Sequence, residues 1–582
     1  MTARDDNRDR SEPLFATAMR ETFASGYTAA RLRGDVVAGI TLGVIALPLG
    51  MALAIAAGVP PQYGLYTVIV GGLIIAATGG SRFNVSGPTA AFVAILLPIV
   101  AQYGLGGLLV ATVLSGIILV ALGVTRLGKV IEFIPYPVVV GFTAGIGVVI
   151  ATLQLRDFLG LDVVLDQAHF LDKVAALAGA LPGVRWEDLL VGGVTLACML
   201  LWPKLNSRVP AHLVSLVVGT LLAMLLARWL AGFEVATVGS RFTWVSDDAL
   251  GHGIPPLPPH FVLPWAFPGP DGQPLGISME LVRELLPAAF AIALLGAIES
   301  LLCAVVADGF AGTRHNPNSE LIGQGLGNIV APFFGGITAT AAIARTAVNV
   351  RVGASSPVAA MVHALTVLLI VVLAAELLSY VPMAALAALL LVVAWNMAEA
   401  RHFVHIVRVA PRSDVAVLLT CFVLTVVFDM VLAVGVGVAL AAALFIRRMV
   451  DLTGAELLAG GAQSERTDLP AGVAVYDING PLFFGAARQA LDNIRLLDSS
   501  LQVVVLDMND VNVVDMTGLV AFTSTLDRLR ARGLTVIVSG LLPRIHQKLQ
   551  RAGVQDDGGR VRFAATLDDA LQVAARLVTP AG

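Results

Sequence analysis

The sequence predicts an α-helical polytopic membrane protein of fourteen spans, arranged as two inverted seven-span repeats and followed by a soluble α/β domain. Three observations predict it. First, the chain is 57% hydrophobic and only 13% charged, with mean hydropathy +0.84. A soluble globular chain carries about a quarter charged residues, so most of this one belongs in lipid. Second, apolar segments long enough to span, whole or broken, follow one another from about Val36 to Arg447. Third, two of them break alike, at Gly79–Ala91 and at Gly335–Ala347, each reading as a short extended piece that turns into a helix within a span.

In chain order, residues 1–30 form a cytoplasmic N-terminal segment, polar and disordered in composition from Met1 to Glu12. It lacks the apolar core and cleavage site of a signal peptide, so the first span is expected to serve as the insertion signal. Residues 31–450 form the membrane domain. The first seven spans are expected near 36–58, 63–78, 85–103, 106–124, 134–154, 187–202 and 209–231. The second seven are expected near 283–307, 321–334, 338–350, 357–378, 382–398, 414–430 and 432–447. Several are shorter than the roughly 20 residues of a plain span, which is tolerable where freed backbone is buried in protein. An odd repeat unit forces the second half to be inverted. Pro48 precedes Pro88 by about the distance that separates Glu299 from Ala339, which suits such a repeat.

Positive charge sets the orientation. Arg31, Arg33, Arg82, Arg126, Lys129, Lys204, Arg208, Arg314, Arg351, Arg401, Arg408, Arg412, Arg447 and Arg448 fall on one side, the cytoplasmic side by the positive-inside rule. Both termini are then cytoplasmic. The longer loops 155–186 and 232–282 face outward, the second rich in Pro and aromatic residues. Cys198, Cys303 and Cys421 lie in apolar runs with no metal or disulfide spacing and read as core packing.

After Arg448 the composition changes. Residues 451–470 read as a polar linker and 471–582 as the soluble domain. Strands are expected at Val473–Ile478, Val503–Met508 and Thr535–Ser539, with helices near 485–497, 517–532 and 543–552. Alternation of this kind implies a small sheet covered by helices.

These residues resemble a known family. Asp35-Val36-Val37-Ala38-Gly39-Ile40-Thr41, Ala46-Leu47-Pro48, Tyr63-Gly64-Leu65-Tyr66 and Ser86-Gly87-Pro88-Thr89-Ala90 look like the SulP anion transporters. Gly480-Pro481-Leu482-Phe483-Phe484 with Asp515-Met516-Thr517-Gly518-Leu519 resembles the STAS domain that ends those proteins. More narrowly, Gly296–Val306 and Gly323–Asn328 through Arg345 look like the family's bacterial C4-dicarboxylic acid transporters. The resemblance implies a core domain moving against a gate domain in an elevator-like alternating-access movement, proton-coupled uptake of succinate, fumarate or aspartate, a homodimer, and a bacterial inner membrane.

Paired broken spans point to the binding site of a secondary transporter. A helix that starts at mid-membrane aims bare N–H groups at its contents, which favours an anion. Gly87, Pro88, Thr89 and Ala90 at one break, and Thr340, Ala341 and Ala342 at the other, are the expected substrate-binding positions; tight helix packing through small residues is the plainer account. Arg345 lies a little over one turn inside the second broken helix. In the family a basic residue at the matching position lies near the anion; alone, it reads equally as an arginine snorkelling to the cytoplasm.

Glu299 sits mid-span, where an ionisable residue is a functional candidate by default. Low dielectric favours its neutral form, which suits a proton carrier; the bland alternative is a structural acid tying the broken helices together. Two helix starts contribute about +0.5 each, and Arg345 adds one unit. A dianion beside ionised Glu299 then leaves excess negative charge that one proton relieves. Leu49, Gly50 and Met51 follow Pro48 where some relatives carry a polar or acidic residue, so that span offers no rival carrier. Gln324 and Asn328, spaced i, i+4, share one helical face and read as inter-helical bonding groups. In the tail, Met516 stands where soluble relatives carry a phosphorylatable serine, and Asp515 reads as a helix cap.

The sequence therefore points to a C4-dicarboxylate–proton symporter. A sulfate or bicarbonate transporter or exchanger of the same fold is the alternative, and a membrane-anchored scaffold acting through its STAS-like tail is another of a different class. No enzyme or ATPase motif, cofactor loop or metal spacing is present. Small anions, protons, lipid and a cytoplasmic protein partner of the tail are the expected partners, and nucleic acid is not among them.

Overall fold

The computed structural model describes residues 13–131, 135–165, 170–205, 209–246, 249–428, 430–451, 454–459, 472–483, 487, 491 and 501–578. Met1–Glu12 and most of the helix expected at 485–497 lie outside the described residues. The chain clusters into two compact units, Met1–Val438 and Ala439–Gly582.

The membrane unit opens with a short helix, α1 (Thr17–Ala24), and then the first span, α2 (Ala29–Ala56). The second span is α3 (Pro61–Tyr66), a π-helical turn at Thr67–Gly71, and α4 (Gly72–Thr78). After the first break come strand β1 (Ser86–Gly87) and the 35-residue α5 (Ala90–Val124). The expected division of α5 into two spans is present as a kink at Gly104, whose φ of 68° and ψ of −171° suit glycine alone. Three further spans, α6 (Tyr136–Phe158), α7 (Trp186–Leu201) and α8 (Ala211–Trp229), finish the first half.

The second half repeats the order with α9 (Met279–Ala311), α10 (Pro317–Val330), strand β2 (Thr340–Ala341), α11 (Ile343–Val352) and α12 (Val358–Ser379). It closes with α13 (Met383–Ala398), the short α14 (Ala400–Val409), α15 (Arg412–Val427) and α16 (Met430–Asp451). Among the described residues, ten helical stretches are long and apolar enough to cross a membrane. The expected fourteen segments are all present, because α5 carries two and because α10, α11 and α15 are too short to qualify alone. A backbone can stop short in this way only where protein surrounds it.

Packing divides these helices into two bundles. In one, α2 lies along α12, and α5 packs on α9 and α10; in the other, α6 packs on α13 and α15, and α7 on α8 and α13. The first bundle takes the first four spans of each half and the second the last three, α16 joining it where Cys421 Sγ of α15 donates to the Ala433 carbonyl at 3.6 Å. Cys303 and Cys421 are buried, whereas Cys198 is half-exposed.

The soluble unit is a five-stranded sheet in the order β3 (Gly454–Ala459), β4 (Val473–Asn479), β5 (Val503–Asp507), β6 (Thr535–Ser539) and β7 (Val561–Ala564). All neighbours are parallel except β3 and β4. Thus part of 451–470, expected as linker, is an edge strand. Its antiparallel pairing needs no crossover, so a short apolar run suffices. Helices α17 (Met516–Ala531) and α18 (Pro543–Arg551) match expectation within a residue, and α19 (Leu567–Leu577) adds a third. Asp515 caps α17, accepting from the Gly518 N–H at 2.7 Å.

Candidate anion site

The first break begins where α4 stops at Gly79. Two N–H groups freed there, of Gly80 and Ser81, donate to Glu320 Oε2 at 2.9 Å each. The other oxygen, Oε1, accepts from Asn84 Nδ2 at 2.6 Å and from the Ser300 hydroxyl at 3.0 Å. Glu320 is 1% exposed, in the first turn of α10. Charge-assisted bonds of this kind are about twice as strong as neutral ones, so this carboxylate substitutes for the helical partners that the break removes.

The chain is then stitched to the second half. Val85 N–H donates to Thr346 Oγ1 at 3.1 Å, and its carbonyl accepts from Ala342 N–H at 3.1 Å. β1 and β2 pair antiparallel, Ser86 opposite Ala341 and Gly87 opposite Thr340. On the far side, Gln324 Nε2 and Asn328 Nδ2 donate to the Ala339 carbonyl at 2.8 and 3.0 Å, and Ala339 N–H donates to Asn328 Oδ1 at 2.8 Å. These two side chains bond, as expected, but to the backbone entering β2. Thr340 donates to the Gly296 carbonyl of α9 at 3.2 Å.

Both helices start directly after the paired strands, with extended caps at Thr89 and Ala342 and no side-chain hydrogen bond from either cap to its own helix. Helix starts free N–H groups for whatever enters, although Phe92 N–H is held by the Thr89 carbonyl and Ala342 N–H by the Val85 carbonyl; Pro88, with none to give, costs nothing there. Gly87, Pro88, Thr89, Ala90, Thr340 and Ala341 are buried; Ala342 is half-buried and Ile343, next to it, is 45% exposed. The second helix start is thus the open wall of the site.

Arg345 is 5% exposed and points inward. Its Nη2 donates to the Pro88 carbonyl at 2.6 Å. A Cβ on Gly87 would stand 2.5 Å from Nη1, so the absence of a side chain there is what admits the guanidinium. Two expectations change. The residue is in the first turn of α11, since the helix begins only at Ile343, and it does not snorkel to the cytoplasm.

Glu299 comes from the middle of α9. It is half-buried. The Thr89 hydroxyl donates to its Oε2 at 2.9 Å, and the charge of Arg345 acts on it. One carboxylate therefore sits beside the start of α5 and within the field of the guanidinium.

Sequence reasoning missed Glu320 and His363. Glu320 precedes Gln324 by four residues, on the face that carries Asn328, but an acid in the first turn of a helix is ordinary and did not stand out. His363, in α12, is fully buried, and the field of Arg345 reaches it. The signal was the one that marked Glu299, an ionisable residue within an apolar span.

The site thus combines paired helix starts, one inward arginine and one half-buried carboxylate in a membrane unit that is followed by an α/β unit. Residues 32–421 match the sulfate permease family, and residues 466–570 match the STAS domain. The chain is 38% identical over 546 residues to the putative sulfate transporter YvdB of Bacillus subtilis (strain 168), across 92% of this chain and 97% of that one. It is 27% identical over 547 residues to the bicarbonate transporter BicA of Synechocystis sp. (strain ATCC 27184 / PCC 6803 / Kazusa), across 90% and 91%. A structure of the murine Solute Carrier 26 family member A9 anion transporter in the inward-facing state shares the fold, with TM-score 0.83 at 19% identity over 96% of this chain and 94% of that one. The chain belongs to the sulfate permease family. The expected C4-dicarboxylate specificity finds no support among these relatives, whose names give sulfate and bicarbonate.

Proposed function

We propose that this protein moves a small inorganic oxyanion, sulfate or bicarbonate, across the membrane, and that Glu299 decides whether a proton travels with it. The observation that carries the reading is the β1–β2 pair, which brings two helix starts together beside Arg345 and Glu299. The names of the relatives favour an inorganic oxyanion over a dicarboxylate.

The charges sharpen it. Two helix starts supply about +0.5 each and Arg345 one unit. With Glu299 ionised the site carries about +1, which a monoanion neutralises. With Glu299 protonated it carries about +2, which a dianion neutralises. In the empty site Glu299 acts as internal counter-ion. A dianion entering must drive a proton onto it or leave an uncompensated charge in low dielectric, which is costly. Sulfate uptake is then proton-linked and bicarbonate uptake is not.

The deciding experiment is uptake of radiolabelled sulfate, bicarbonate and succinate, side by side, into proteoliposomes holding the purified protein. Concentrative uptake of sulfate or bicarbonate, with succinate neither taken up nor competing, is the expected result. Uptake of succinate alone would return the dicarboxylate reading.

A further inference from the structure

We propose that α14 is an interfacial helix that holds the headgroups of anionic phospholipids on the cytoplasmic leaflet. The inference rests on the reading of this face as cytoplasmic and not on the identity of the transported anion.

The helix follows Glu399, whose left-handed backbone (φ 41°, ψ 44°) breaks the axis of α13, and it ends before Pro411, which caps α15. Both flanks are membrane spans, so α14 lies at the membrane surface. At 3.6 residues per turn its ten residues divide into three stripes. One faces protein: His402 Nε2 lies 2.7 Å from the Tyr136 hydroxyl, and the Phe403 ring packs 5.3 Å from that of Phe422, with Ile406 half-buried between them in the helical order. The next stripe is apolar and bare, with Val404 44% and Val407 38% exposed. The third carries Arg401, His405 and Arg408, all exposed.

Apolar beside basic, on a helix with no buried residue, is the pattern of a helix lying in the headgroup plane. Sinking Val404 and Val407 to the level of the acyl chains brings Arg401 and Arg408 to the level of the phosphates. Neither arginine, nor Arg412 at the start of α15, is ion-paired with a described residue. The nearby acids do not cancel the stripe. Glu399 lies outside the helix, at the left-handed turn before it, and Asp414 sits in the first turn of α15 and takes a bond from the Ser413 hydroxyl. A guanidinium forks onto phosphate oxygens in two-point geometry, so the headgroup is the occupant that fits both stripes at once.

The test uses the full-length protein reconstituted in phosphatidylcholine bilayers containing phosphatidylglycerol, then extracted gently and counted for retained lipid by native mass spectrometry. The wild type should keep phosphatidylglycerol in preference to phosphatidylcholine. Arg401→Gln with Arg408→Gln should lower that retention on the order of tenfold, as two surface cations at about a decade or less each imply. Arg228→Gln, at the opposite end of a span, should not. Equal retention of both lipids by the wild type, unchanged retention in the double variant, or an equal fall in Arg228→Gln would each overturn the proposal. So would efficient cross-linking of two chains through a cysteine introduced at Val404, which would show a second copy covering the face.

Discussion

Two carboxylates, Glu299 of α9 and Glu320 of α10, have partners that assign them opposite duties. Glu320 accepts four hydrogen bonds, two from backbone, and holds the first break in shape. Glu299 accepts one, from Thr89, and is only half-buried. Glu320→Gln turns an amide NH2 toward donors and strands at least one of them, at a cost of about 1–3 kcal/mol; a lower melting temperature in detergent is the expected result. Glu299→Gln still accepts the Thr89 hydroxyl, so its melting temperature should stay close to wild type. It cannot release a proton, and concentrative sulfate uptake should vanish while exchange of sulfate for sulfate persists. In the wild type, sulfate uptake should rise as external pH falls and bicarbonate uptake should not follow it; flat sulfate uptake from acid to alkaline pH would remove Glu299 from the coupling. The sequence marked Glu299 because a lone acid among Leu294, Leu295, Leu301 and Leu302 stands out. It hid Glu320 because an acid just after Asn316-Pro317-Asn318-Ser319 looks like an ordinary helix start.

The paired strands and the helices they feed are the elements that make the site. Their existence was legible from Gly79-Gly80 and Gly335-Gly336, since a glycine pair inside an apolar run has no better use. Their pairing was not. Which strand meets which depends on Val85, Ala342 and Thr346, small residues whose bonds exist only once the halves have packed. The same ignorance put Arg345 too far into α11, because only the strand shows where the helix starts. Gly87→Ala tests the pair without changing any charge. The new methyl displaces Nη1 of Arg345, the flexible end of a side chain, so the fold should survive with a loss of about 1 kcal/mol or less. Uptake should fall at least on the order of tenfold, since a misplacement of about 1 Å at a charged site is costly. Arg345→Lys, which keeps the charge and loses the fork that reaches the Pro88 carbonyl, should fall likewise.

At the scale of the molecule, the chain comprises a membrane unit and a soluble one, described by themselves as Met1–Val438 and Ala439–Gly582. Composition alone separated them, because lipid and water demand such different residues. It did not find β3, whose six residues pass for linker until β4 is there to pair with. If the membrane unit carries transport by itself, a chain lacking residues 452–582 should still take up anion in vesicles, with any change confined to rate or regulation; complete loss in a truncated protein that is folded and inserted would make the STAS domain part of the transport machinery. The division of the spans into two bundles follows from the order of the halves, and a seven-span unit followed by its inverse was readable from the count.

The β1–β2 pair has a consequence for how the protein is made. Each strand belongs to a different half, so the first break leaves the translation machinery about 250 residues before its partner exists. Until then the backbone of Ser86 and Gly87 has nothing to bond, and an unpaired group in lipid costs several kcal/mol. The first half is therefore an unfinished object in the bilayer, held open for its counterpart. Two separately expressed pieces, divided in the loop before Met279, should each be short-lived alone and stable together.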